Sequence, residues 1–143
     1  MDLQSIISEV KTLARETGRF IAEQRKNFDS SRVESKQSHD YVSYVDKECE
    51  RMIVSRLKEI LPQAGFITEE KTIAQDDGSK ELYWIVDPLD GTTNFIHDLA
   101  PYSVSIALRD SKELLLGVVY EVTRDELYSA AKGQGAYPND RAI

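Results

Sequence analysis

The sequence predicts an α+β domain in which two long helices pack on an antiparallel β-sheet. Apolar residues recur at helical spacing through much of the first 60 residues, whereas beyond Val104 the apolar period changes to two. Helices followed by a run of strands are typical of an antiparallel sheet covered by helices. The 143 residues, with no repeat or low-complexity linker, are enough for a single domain over 1–143.

The first helix is predicted over roughly residues 1–25. Its apolar face consists of Leu3, Ile6, Ile7, Val10, Leu13, Ala14 and Ile21. Gly18 interrupts the helix and is expected to be tolerated there. The polar stretch 27–40, which contains Lys36, is interpreted as a loop or irregular hairpin.

A second helix is predicted over residues 44–61 and ends before Pro62. Its apolar face consists of Val45, Cys49, Met52, Ile53, Leu57 and Ile60. Cys49 is the single cysteine, so it cannot form an intrachain disulfide, and packing is its expected role. This cysteine usage favours an intracellular, cytoplasmic location.

Strands are expected at residues 82–86, 104–108, 114–122 and 126–131. The run 82–86 is apolar without alternation, which indicates a strand covered on both faces. Residues 123–125 form a short turn between the last two strands and predict an antiparallel hairpin. The turn 132–136 that follows contains two glycines, but it is too short and too late for a nucleotide-binding fingerprint.

The charge balance excludes some partners. Lys and Arg number 18 against 25 for Asp and Glu, a formal charge of -7, which argues against a nucleic-acid-binding surface. No apolar stretch approaches the length of a membrane span, and the chain opens with Asp2 where a secretory signal would be basic. Neither nucleic acid nor a membrane is therefore an expected partner.

A pair of aspartates directly follows the apolar run 82–86. Pro88 holds Asp87 in an extended conformation, and Asp90 follows three residues later. Two carboxylates this close repel each other unless a cation lies between them, and carboxylate and carbonyl oxygens are the ligands that magnesium prefers. We predict a metal site at Asp87 and Asp90, with the carbonyl of Leu89 as a further ligand.

The next residues fit a phosphate group. Gly91 leaves the backbone open to an approaching oxygen, and Thr92 is expected to cap a helix that runs through Thr93 to Phe95. Free amides at the start of a helix bind phosphate. The alternative is that Asp-Pro-x-Asp-Gly is an ordinary turn sequence in which both aspartates are solvated caps.

Residues 84–95, Trp-Ile-Val-Asp-Pro-Leu-Asp-Gly-Thr-Thr-Asn-Phe, resemble the metal-binding signature of the inositol monophosphatase family at all twelve positions, and His97 also fits it. The resemblance runs from the first helix to residues 136–140. It implies the N-terminal α+β half of the family fold. The C-terminal α/β half, which supplies another ligand aspartate and most substrate contacts, is expected to be absent from 1–143.

The resemblance implies two or three magnesium ions. Glu69, Asp87 and the Leu89 carbonyl would hold one ion, and Asp87 and Asp90 would share a second. Glu70 would help to position a water molecule. Residues 66–70 resemble the family strand that ends in this glutamate pair, with Thr68 where the family usually has glycine. Taken alone, the two glutamates are better explained as a charged loop edge.

Other site residues are also implied by the resemblance. Asp46 would accept a hydrogen bond from Thr92, which in turn orients the attacking water, and Lys36 would lie at the mouth of the site. Ser43 and Asp46 also fit a capping box that opens a helix, which explains both without catalysis. We expect His39 and His97 to be surface residues or neighbours of the site, because neither has a matching nucleophile.

The activity implied by the resemblance is hydrolysis of a small phosphate monoester, foremost inositol monophosphate, by metal-activated water. Asp90, Gly91, Thr92, Thr93 and Lys36 would contact the substrate. One alternative is a truncated metal-binding domain with little or no activity of its own. Another is an interaction module, in which the sheet face left by the missing half docks on a partner. Independently of these alternatives, we expect a homodimer or other self-association through the surface left by the missing half.

Overall fold

In a computed structural model, described over residues 1–27, 35–69 and 78–139, two long helices pack on a six-stranded sheet. The helices are α1 (Leu3–Asn27), α2 (Ser35–Ile60) and the short α3 (Thr92–His97). The strands are β1 (Gly65–Thr68), β2 (Tyr83–Asp90), β3 (Ser103–Arg109), β4 (Leu114–Glu121), β5 (Glu126–Ala131) and β6 (Ala136–Pro138). They lie side by side in chain order, which confirms the predicted α+β class.

The sheet is mixed. The expected antiparallel pairing holds from β2 to β6, but β1 runs parallel to β2, with Gly65 opposite Tyr83. A parallel pair needs a crossover connection, and residues 69–82 between the two strands are long enough to provide it. The carboxyl ends of β1 and β2 therefore meet at one edge of the sheet.

The core lies between the two long helices and the sheet. The predicted apolar faces of α1 and α2 are buried against the inward residues of β2, β3 and β4. Trp84 and Val86 face this core, whereas Ile85 stays partly exposed, so β2 is covered on one face rather than on both. Cys49 is fully buried, as expected, and burial raises the pKa of its thiol above the usual value.

The start of the second helix was predicted wrongly. Helix α2 begins at Ser35, so the loop expected over residues 27–40 is helical in its later part, and its earlier part lies outside the described residues. Ser43 and Asp46 lie inside the helix, which rules out a capping box there. A helix stabilised by packing along one face accepts a polar stretch, because tertiary contacts contribute more than the composition of a single turn.

None of the helices in the described part of the chain combines the length and the apolarity needed to cross a membrane.

Helix α1 and strand β4 approach each other closely at Gly18. A Cβ atom built on Gly18 would lie 2.3 Å from Cε2 of Tyr120. The Tyr120 ring is buried, and its hydroxyl donates a hydrogen bond of 2.6 Å to Asp125. Burial and this hydrogen bond raise the pKa of Tyr120 to about 12. The glycine is therefore a packing requirement and not merely a tolerated interruption.

We expect Gly18→Ala to destabilise the fold. Overpacking against the Tyr120 ring costs about 1–3 kcal/mol, which exceeds the gain of about 1 kcal/mol from replacing a helical glycine. Urea unfolding followed by the fluorescence of Trp84, the single tryptophan, measures the change in unfolding free energy.

Two variants test the cause. In a Tyr120→Leu background the Gly18→Ala substitution should cost less, because the ring is gone. Glu23→Ala, at an exposed position of the same helix, should change stability by no more than about 0.5 kcal/mol. A Gly18→Ala variant as stable as the parent chain would contradict this account of the contact.

Candidate functional site

Asp87 and Asp90 end strand β2 on either side of a bulge. Asp87 lies opposite Ser105, and Asp90 lies opposite Ser103. The two aspartates are three residues apart on β2, whereas their partners are only two residues apart on β3. Side chains alternate along a regular strand, and an odd spacing would send the two aspartates to opposite faces. The register shift between them therefore brings both carboxylates to the same face of the sheet.

A third carboxylate lies beside them. Thr68 at the end of β1 pairs with Val86, and the next amide, that of Glu69, donates to the Val86 carbonyl at 3.2 Å. Because β1 and β2 are parallel, Glu69 leaves its strand at the same edge of the sheet as Asp87. Thr68, at the position where the family usually has glycine, is the last residue of β1.

The electrostatics of Asp87 show that these carboxylates are close. Burial raises the pKa of Asp87 above its usual value, the negative charges of Asp90 and Glu69 raise it further, and a backbone hydrogen bond from Leu89 partly opposes them. The charges of Asp90 and Glu69 thus oppose the ionisation of Asp87. A bound cation would relieve this repulsion, so the donor set fits an oxygen-seeking ion.

The same residues do not form a closed metal cage. Within residues 1–27, 35–69 and 78–139, no three His, Cys, Asp or Glu side chains are grouped tightly enough to hold an ion. Glu70, the other predicted carboxylate, lies outside the described residues. The metal roles of Glu69, Asp87, Asp90 and the Leu89 carbonyl stay predictions.

Gly91 adopts a backbone conformation that other residues rarely reach. Its φ is 92°, in the left-handed region, and a Cβ atom on it would lie 2.7 Å from the carbonyl oxygen of Pro101. Gly91 is also the N-cap of α3, without a side-chain capping bond. The expectation that Thr92 caps this helix is wrong, since Thr92 is its first residue, and Thr93 follows it at an exposed position.

Helix α3 is fixed to the loop that follows it. The side-chain amide of Asn94 donates to the Pro101 carbonyl at 2.9 Å, the same oxygen that closes over Gly91. Phe95 is fully buried and meets the Tyr102 ring edge to face, with 5.5 Å between ring centroids. These contacts hold residues 91–102 as one unit beside the carboxylates.

Glu121, at the end of β4, stabilises the unit formed by residues 91–102. This role was not predicted from the sequence. Its carboxylate accepts hydrogen bonds from the Tyr102 amide at 3.2 Å and from the Thr123 hydroxyl and the Arg124 amide at 2.6 Å each. Burial alone would raise the pKa of Glu121, but these hydrogen bonds lower it below its usual value. A glutamate at a strand end gives no sequence signal for such a role.

The remaining predicted residues are spread around this edge. Asp46 is buried on α2, a helix that packs against both β2 and α3, but its pairing with Thr92 stays a prediction. Lys36 and His39 lie in the first turns of α2, whose side chains fall outside the described part of the structure. His97 is exposed at the end of α3, as expected of a surface residue.

The sheet face opposite the two long helices carries exposed apolar residues. Val119 is 39% exposed and Tyr128 is 44% exposed. A shallow groove on this face is lined by Gly117, Val119, Tyr128, Ser129, Ala130, Ala136 and Tyr137. We call this region the outer groove.

Comparison with known proteins identifies relatives along the whole chain. The model of the inositol monophosphatase family matches residues 2–143. Inositol-1-monophosphatase of Mesorhizobium japonicum is 36% identical over 143 residues, which cover 100% of this chain and 53% of that protein. Nus factor SuhB of Escherichia coli K12 is 40% identical over 127 residues, which cover 88% of this chain and 47% of that protein.

Solved structures show the same relationship. The crystal structure of inositol monophosphatase II from Staphylococcus aureus MSSA476 superposes with a TM-score of 0.82 at 30% identity, over 97% of this chain and 51% of that one. The chain spans about half the length of the curated relatives it matches.

Gly91→Ala is expected to destabilise the chain more than Gly133→Ala. Both glycines have positive φ, 92° and 76°, so each substitution incurs the left-handed strain of about 1–2 kcal/mol. Only Gly91 also meets a backbone carbonyl, since nothing lies within 4 Å of a Cβ atom built on Gly133. Urea unfolding of both variants measures the difference, and equal losses would show that the Pro101 contact contributes nothing.

Proposed function

The chain belongs to the inositol monophosphatase family, and we propose on that basis that it carries the metal and phosphate site of a magnesium-dependent phosphatase. The proposed reaction is hydrolysis of a small phosphate monoester, foremost inositol monophosphate. The observation that carries the proposal is the β2 bulge, which places Asp87 and Asp90 on one face of the sheet beside Glu69.

The substrate is proposed from the relatives. The Mesorhizobium protein and the Staphylococcus structure are both named as inositol monophosphatases. Relatives of similar identity are named Nus factors, so the activity of this chain requires its own test. The buried single cysteine, Cys49, agrees with the cytoplasmic location we propose, where thiols stay reduced.

Each residue would have a distinct role in the reaction. Glu69, Asp87, Asp90 and the carbonyl of Leu89 would hold two or three magnesium ions. A bound ion lowers the pKa of its water and neutralises phosphate charge, so no protein nucleophile is needed.

The other residues would act on the water and the phosphate. Asp46 would accept from the Thr92 hydroxyl and so orient it toward the attacking water, with Glu70 as a second orienting group. The backbone at Gly91 and Thr92, together with Thr93 and Lys36, would hold the phosphate oxygens. Donors arranged in advance around the phosphate stabilise the charge that develops during the reaction.

A second candidate is a metal-binding domain with little or no turnover of its own. It is favoured by one observation: the carboxylates within the described residues do not form a closed metal cage. In this case the residues would bind the ion, while the groups that complete the site and choose the substrate would come from elsewhere.

The test combines binding and turnover. We expect calorimetry to show that the chain binds Mg²⁺ and that Asp87→Asn weakens this binding at least about tenfold, because it removes a charged ligand. Phosphate release from inositol 1-phosphate should require Mg²⁺ and be lost in Asp90→Asn. Asp110→Asn, which removes the same charge from an exposed turn, is the control and should behave as the parent chain.

The outcomes separate the candidates. Binding without phosphate release would favour the metal-binding domain. Unchanged Mg²⁺ binding in Asp87→Asn would show that the metal site is assigned to the wrong residues.

We also propose that the isolated chain self-associates, with a second copy of the chain covering the outer groove. Exposed apolar side chains grouped on one face favour association. The face carries Val119 and Tyr128, and the small residues between them leave room for an opposing surface.

Light scattering at increasing protein concentration tests this proposal. The mass of the parent chain should rise toward a dimer, and Val119→Lys combined with Tyr128→Lys should keep it monomeric. Tyr44→Lys, which charges a residue 52% exposed on the helix side, is the control and should leave association intact. A parent chain that stays monomeric at all concentrations would refute self-association.

A further inference from the structure

The outer face of the sheet, opposite the two long helices, carries side chains in four rows that run across the strands. Register partners belong to the same row, because directly opposed residues of neighbouring strands project from the same face. From the first row to the fourth, the residues on β3 are Ser103, Ser105, Ala107 and Arg109. The outer groove lies over the second and third rows.

The two middle rows complement each other in size. The second row carries the bulky Val119 on β4 and Tyr128 on β5, and both are exposed. The third row carries Gly117 and Ala130 on the same two strands. If a second copy faced the sheet with its strands reversed, the second row of each copy would lie on the third row of the other. Each bulky side chain would then meet a glycine or an alanine, the alternation of large and small residues that lets facing layers interdigitate.

The two outermost rows differ in charge. The first row consists of Asp90, Ser103, Glu121 and Glu126. The fourth row contains Arg109, which is exposed and lines one groove with Lys80 and a second groove with Lys112. The face is therefore acidic where β2 ends and carries cations where β2 begins.

The acidic residues around Arg109 do not cancel the positive charge of this end. Among the described residues there, four cations stand against three acids, namely Lys80, Arg109, Lys112 and Lys132 against Glu81, Asp110 and Glu113. The Asp110 carboxylate accepts hydrogen bonds of 2.8 Å from the amides of Lys112 and Glu113. Glu113 also pairs with Lys132 at 2.9 Å. In a chain with a formal net charge of -7, this end is a local exception.

We propose that the second copy docks on the outer face with its strands reversed, related to the first by a twofold axis that crosses the strands between the second and third rows. This inference rests on the proposed self-association and specifies its geometry. Arg109 of each copy then lies opposite Ser103 of the other, whose neighbours in the row are Asp90 and Glu121. A twofold axis along the strands would instead bring like charges together, which complementary interfaces avoid.

Light scattering of the unmodified chain at two salt concentrations measures the sign of the charge contacts. Salt screens attraction between exposed opposite charges, so the dissociation constant of the dimer should rise about tenfold between about 50 mM and about 500 mM NaCl. Association that salt leaves unchanged or strengthens would refute the reversed arrangement.

Charge reversal at the fourth row probes the same contacts. Arg109→Glu combined with Lys112→Glu should weaken association at least about tenfold, because acidic groups of the two copies then face each other. Lys47→Glu combined with Lys58→Glu, at exposed positions of α2, changes the net charge by the same amount and is the matched control. The control should lose much less affinity, and equal losses in the two variants would overturn the inference.

A charge swap completes the experiment. Asp90→Lys combined with Glu126→Lys should also associate weakly alone, because basic groups then face each other. Mixed in equal amounts with the fourth-row variant, it should associate as tightly as the parent chain, and a mixture that stays monomeric would contradict the proposed docking.

The outcomes distinguish this geometry from self-association itself. A parent chain that is monomeric at every concentration refutes the proposed association and the geometry with it. A parent dimer that resists both salt and charge reversal leaves the association standing and refutes only the reversed docking.

Discussion

The bulge between Asp87 and Asp90 is the constraint on which both the core and the site depend. The two residues between the aspartates, Pro88 and Leu89, are buried, and Leu89 is only 3% exposed. In a regular strand, the alternation of side chains would turn one aspartate toward the apolar core. An unpaired charge there is so costly that the strand would not fold in that register. The bulge removes this conflict, because the apolar residues stay inside while both carboxylates stay on the outer face.

The parallel pairing of β1 with β2 extends this arrangement across a second strand. It brings Glu69 to the edge where β2 ends. Burial raises the pKa of Asp87, and repulsion by the negative charges of Asp90 and Glu69 raises it further. Such repulsion destabilises the fold unless a cation or hydrogen-bond donors offset it. The backbone of Leu89 is one such donor. On the other side, Gly91 and the loop closed by Pro101 bring the start of α3 against the same edge.

Much of this fold follows from the periodicity of apolar residues along the chain. The rest depends on which strands pair and in which register. The period of the apolar residues predicted α1 and the strands from β3 to β5, whereas the site expected around Pro88 stays a prediction. The start of α2 at Ser35 was missed, because polar residues of adequate helix propensity carry no periodic signal. The parallel β1, the cap at Gly91 and the position of Ser105 depend on register and backbone angles, which are set by contacts distant in sequence.

The same register also links the site to the outer groove. Across the sheet, Asp87 is followed in one row by Ser105, Val119 and Tyr128. The exposed apolar side chains therefore begin on β4, two strands away from Asp87. They lie on the same face of the sheet as the two carboxylates. A surface that covers Val119 and Tyr128 also borders Asp87 and removes water from its surroundings. Electrostatic interactions strengthen when water is excluded, so covering the groove would increase both the repulsion among the bare carboxylates and their attraction for a cation. The geometry of the sheet would therefore couple the proposed association at this face to the proposed ion binding at Asp87.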